Sequence, residues 1–130
     1  MADKPKKTAR VTAFFGDGEH VFTLQPQGVA EPLALIEELQ EKTGVGPYRL
    51  FKSISDDDFR VGDIREVLRL SLIGGGKSPS DAHKLVSRYF DKEPIAEYST
   101  IALDVMVGML FGHPVVDDPL VAPAKEAASE

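Results

Sequence analysis

The run Gly74-Gly75-Gly76-Lys77-Ser78 contains the residue types that grip phosphate, glycines that free backbone N–H groups followed by a lysine and a hydroxyl. A phosphate loop needs G-x-x-x-x-G-K-[ST] between a strand and a helix, and here the position five before Gly76 is Ser71. The residues before it repeat with helical rather than strand periodicity, and Pro79 removes an N–H where phosphate binding would use donors. The glycines are therefore expected to end one helix and let the chain reverse before Ser78 caps the next, with no nucleotide bound.

Other residues capable of chemistry are scattered. His20, His83 and His113 fall in a strand, a helix and a terminal segment, and none has a second His or carboxylate at a ligand spacing. Asp56, Asp57 and Asp58 suggest calcium, but a loop starting at Asp56 would have Arg60, Val61 and Val67 where an acceptor, a glycine and a glutamate are required. No Ser, His and acid set surrounds a nucleophile motif, and the absence of cysteine excludes thiol catalysis, disulfides and zinc–thiolate sites. Lys84, Arg88 and Lys92 could share one face of a helix after a glycine turn, as in a helix-turn-helix, but Asp81, Asp91 and Glu93 dilute it and the net charge is −6. The expectation is no catalytic residues, no metal, no cofactor, no small-molecule substrate and no nucleic acid, with proteins as partners.

The elements that would position these residues are legible from punctuation and period. A chain of 130 residues, 42% hydrophobic and 28% charged, suits one domain with a single core. No apolar run approaches the roughly 20 residues that cross a bilayer, and the start has no secretory apolar segment, so a cytoplasmic, membrane-free protein is expected. "RVTAFF" and "HVFTLQ" flank "GDGE", which predicts a β-hairpin from Arg10 to Gln25. Leu33, Ile36 and Leu39 predict a helix from Pro32 to Thr43 that Gly44 ends; "GPYRLFKSI" reads as a short helical turn supplying Tyr48, Leu50, Phe51 and Ile54.

A second helix follows Asp63, read as a cap paired with Glu66, with Ile64, Val67, Leu68 and Leu72 on one face. Ser78 and Pro79 open a third, striped by Ala82, Leu85, Val86 and Tyr89, and a fourth runs from Pro94 to Gly112. The fold class is α+β, an N-terminal hairpin followed by about four helices. Residues 1–9 form a disordered basic segment, 10–112 the single domain, and 113–130 a disordered Pro-, Ala- and acid-rich segment.

The last helix carries two apolar stripes. Tyr98, Ile101, Ala102, Val105 and Met109 form one, and Leu103, Met106, Val107 and Leu110 form the other. Either the helix runs through the centre of the domain, or the second stripe meets another chain, a partner or a second copy of this one. On the latter reading Leu103, Met106, Val107 and Leu110 are the partner-binding residues.

The stretch "RVGDIREVLRLSLIGGGKSPSDAHKLVSRYFDKEPIAEY", with the hairpin and "LALIEELQEKTGVGP", resembles the gene transfer agent family of small tail proteins, related to phage tail assembly chaperones and also described as tail tube proteins. The likeness covers roughly Thr8 to Gly112. It implies a non-enzymatic role in building the tail of a phage-like particle, as a chaperone or adaptor for the tape measure or tube subunits, or else as a component of the finished tube. It supplies no catalytic residues.

Overall fold

The computed structural model describes residues 6–115, so the expectations for 1–5 and 116–130 lie outside the described residues. In chain order the elements are β1 (Lys7–Thr8), β2 (Val11–Phe15), β3 (Gly18–Phe22), α1 (Ala34–Thr43), α2 (Pro47–Ser55), α3 (Val61–Gly74), α4 (Pro79–Tyr89), a 3-10 turn (Phe90–Lys92), α5 (Ala96–Leu110) and β4 (His113–Pro114). The α+β class holds, and five α-helices stand where about four were expected.

β2 and β3 form the predicted hairpin, closed by the Phe15–Gly18 pair around Gly16 and Asp17. Gly16 takes φ 70° while Asp17 does not, the pattern of a turn that needs glycine at its first central position. A side chain at Gly16 would also run into the Tyr89 ring. Alternation along β2 sends Phe15 into the core and leaves Thr12 and Phe14 outside. Phe15 then sits among Phe22, Tyr89 and Tyr98, with ring centroids 6.0, 6.2 and 5.0 Å away.

α3 is the central helix, packed against α1, α4, α5 and β3. Ile64, Val67, Leu68 and Leu72 are fully buried as expected, and so is Leu70. Its start differs from the expectation: the helix begins at Val61 with Arg60 as N-cap, and Asp63 lies three residues inside it. The Asp63 carboxylate turns back to accept from the Arg60 backbone N–H at 3.3 Å and from its guanidinium at 3.0 Å. Glu66 is used differently, pairing with Arg69 at 2.7 Å, and Arg69 also reaches Glu38 of α1 at 3.3 Å.

α4 opens as expected, with Ser78 Oγ accepting from the Asp81 N–H at 3.1 Å and Pro79 in the first turn. Ser78→Ala is expected to lower stability by about 1 kcal/mol, read as a shift in denaturation midpoint with an unchanged slope.

At the domain boundaries, β1 pairs antiparallel with β4, Lys7 with Pro114 and Thr8 with His113. Both strands of this ribbon lie outside the expected domain span of Arg10 to Gly112. The α5–β4 turn fits against this ribbon because Gly108 has no side chain; a Cβ there would meet His113 at 2.9 Å and the Ala9 carbonyl at 3.0 Å.

Candidate functional site

α5 shows which apolar stripe is covered. Tyr98, Ala102 and Val105 are buried, as the first stripe requires, but Met106 is also fully buried, in the same core cluster as Leu50 and Ile54 of α2. Met106 is therefore corrected from the outward set. α2, expected from sequence as a short turn, is a helix of 9 residues lying along α5, and it closes over part of the second stripe. Leu103 is half-buried and packs against the core, whereas Val107 and Leu110 are half-buried and lie outside it.

What remains open beside them is aromatic. Phe111, the residue after α5, is 49% exposed and Tyr48, in the first turn of α2, is 56% exposed. Tyr48 stacks on Phe51 at 5.9 Å, and Phe111 meets Phe51 edge-on at 5.4 Å and Tyr48 at 6.4 Å. Two large rings therefore stand in solvent, braced by a third, in a position that burial alone does not account for. Arg49 and Lys52 are exposed on the same helix, and the Lys7 side chain lies against Gly112. In a chain of net charge −6, Lys52 follows Phe51 directly and Lys7 lies at the Phe111–Gly112 end, whereas Arg49 lines the cleft with Asp58 and Asp63. A groove of about 290 Å³ continues from Leu110, Phe111 and Gly112 to Lys7, Thr8 and Gln27. The sequence signal for this patch is the aromatic spacing Tyr48–Phe51, obscured because so short a segment reads as a turn and not as the helix it is.

The residues considered for chemistry lie apart. A cleft of about 530 Å³ bounded by Thr43, Arg49, Asp58, Arg60 and Asp63 is already bridged by Arg60, which donates to Asp63 and to the Thr43 carbonyl. His20 lies 2.8 Å from Asp17, whose carboxyl it holds below the usual range; Lys77, Lys84 and Arg88 line the same concavity. His83 is exposed on α4, and His113 contacts the Asp104 carbonyl at 2.8 Å. Burial, reinforced by the hydrogen bond its hydroxyl donates to Glu93, pushes the Tyr98 phenol above its ordinary value, so it stays a donor at any physiological pH. Among the described residues no three of His, Asp and Glu gather where they could hold a metal ion, and no helix is long and apolar enough to cross a membrane. Gly74 ends α3 and Gly75 to Ser78 form the connection to α4, with Gly75 pressed onto β3 at Val21 and Gly74 onto Thr23 just after it.

No curated protein and no solved structure matches the chain. A family pattern does match, over residues 8–112, which is the span from β1 to the turn after α5 that holds the hairpin, the five helices and the aromatic patch. That family is described as "Phage tail tube protein, GTA-gp10", and the chain belongs to it.

Proposed function

We propose that the protein is a tail assembly chaperone or adaptor that binds an apolar helical segment of the tape measure, or of tube subunits, on the α2–α5 face. The observation that supports this most is the exposed pair Tyr48 and Phe111, braced by Phe51 and continued by Val107 and Leu110. A tape measure is long, helical and apolar, so a partner that covers its greasy faces until the tube closes around it limits aggregation. Aromatic anchors with a lysine beside them suit such an amphipathic helix, the rings filling the apolar side and Lys52 meeting an acid next to it.

Tyr48→Asp and Phe111→Asp are each expected to weaken capture of a co-expressed tape measure by at least tenfold, since a central aromatic anchor contributes about 2 kcal/mol or more. Because both residues are exposed, the circular dichroism melt should move little. Leu103→Asp, Val107→Asp and Leu110→Asp test the rest of the face, and Met106 serves as the core control. Capture at wild-type levels by both aromatic variants would refute this reading.

A second reading, a structural component of the finished tail tube, draws on the family's own description. Purified particles distinguish the two: ring stoichiometry in mature tails supports the component, and its absence there supports the chaperone.

A further inference from the structure

α5 packs against β2, but among the described residues no backbone group hydrogen-bonds the outer edge of this strand. Pairs Phe15–Gly18, Ala13–His20 and Val11–Phe22 exchange hydrogen bonds across the hairpin, so Thr12 and Phe14 turn their N–H and C=O groups away from β3. β3 and the residue after it have outward groups as well, and the end of α3 covers those at Val21 and Thr23. The Thr23 N–H donates to the Ser71 carbonyl at 3.0 Å, and Gly74 and Gly75 lie against the carbonyls of Thr23 and Val21. Beyond β2, no further strand follows among the described residues. Edge strands are ordinarily blunted by lysine, proline or a bulge, and Val11–Phe15 has none of these. Its outer face instead presents Thr12 and a Phe14 that is 66% exposed.

We propose that this edge pairs with β2 of a second copy of the chain, antiparallel, about a two-fold axis at Thr12. The sequence around β2 is self-complementary in that register. Thr12 meets its own symmetry mate, a favourable β-branched pair, and Arg10 of each copy faces Phe14 of the other. Arg10 is exposed, so its guanidinium can lie over the open Phe14 ring and extend toward Glu19, which pairs with Phe14 within the hairpin. The Thr12 and Phe14 N–H groups of both copies donate across the axis. The Arg10 N–H is already held by Thr8 Oγ1 at 3.1 Å, so each Arg10–Phe14 pair makes one of its two ladder bonds, from Phe14 N–H to the Arg10 carbonyl. Moving the axis to Ala13 would set Arg10 opposite Gly16 and lose both cation–ring contacts. The contact uses none of the α2–α5 patch, so it stands or falls separately from the partner reading.

Sedimentation velocity on the full chain should show a species of twice the 14.2 kDa chain mass that grows with concentration. Thr12→Lys places two ammonium groups on the axis and should raise the dimer dissociation constant by about tenfold or more with the circular dichroism spectrum unchanged. The chain has no cysteine, so Thr12→Cys introduces a single thiol. A directly opposed hydrogen-bonded pair has its Cα atoms about 5.5 Å apart, within disulfide range, so mild oxidation should link Thr12→Cys into a dimer far faster than Ser80→Cys on the exposed start of α4. Cross-linking no faster than the Ser80→Cys control overturns the proposal, and so does a dimer that Thr12→Lys leaves intact.

Discussion

Alanine at Gly75 or Gly74 should lower stability by about 3 kcal/mol or more, a large share of the roughly 5–15 kcal/mol that holds a domain folded. A Cβ on Gly75 would overlap the Val21 carbonyl oxygen, and one on Gly74 the Thr23 carbonyl oxygen. Both obstacles are backbone, one in β3 and one in the residue that follows it, so neither can rotate aside as a side chain would. Relief requires α3 to withdraw from β3, which would also break the Thr23 N–H to Ser71 bond and loosen fully buried Leu70 and Leu72. Gly76 is a contrast within the same triplet: nothing crowds it, but its φ of 118° strains any other residue, so Gly76→Ala should cost about 1–3 kcal/mol through the backbone alone. Chemical denaturation of the three variants tests this. Gly74→Ala and Gly75→Ala within about 0.5 kcal/mol of wild type would mean that the triplet is not there for close packing.

Local chemistry makes some elements readable, and contacts with distant elements hide others. The hairpin can be read because its turn residue and strand alternation are adjacent in sequence, and α4 because Ser78, Pro79 and the first turn are consecutive. The start of α3 is misplaced by sequence reasoning because an aspartate before an apolar run has two uses. It can cap the helix from outside, or reach back from the third position, as Asp63 does to Arg60. α2 is undervalued because a helix of 9 residues is marginal alone and owes its stability to α5, about fifty residues onward. The same gap misassigns Met106: periodicity reveals two stripes on α5, but which of them is covered depends on α2, whose helix sequence periodicity does not announce. The β1–β4 ribbon joins Lys7 to Pro114, and two-residue strands leave no period to detect. For the candidate site, the sequence points to α5 and to half-buried Val107 and Leu110, while the aromatic cluster beside them emerges only when α2 and the end of α5 are brought together.

Phe15→Ala is expected to cost about 3–5 kcal/mol, whereas Phe14→Ala, one residue away, should stay within about 0.5 kcal/mol of wild type. Phe15 is fully buried, and its ring is met at an angle by Phe22 from its own hairpin, Tyr89 from α4 and Tyr98 from α5. Truncation leaves a cavity the size of a ring at the one place where hairpin, α4 and α5 converge, and the Gly16 turn, pressed on Tyr89, gives the backbone little room to collapse into it. Phe14 stands on the opposite face of the same strand and is mostly exposed, so its loss removes little internal contact and should act on self-association instead. Denaturation of both variants, with sedimentation of Phe14→Ala, separates the two faces: similar stability losses would mean that β2 is buried on both sides, and that neither the hairpin packing nor the open β2 edge is correct.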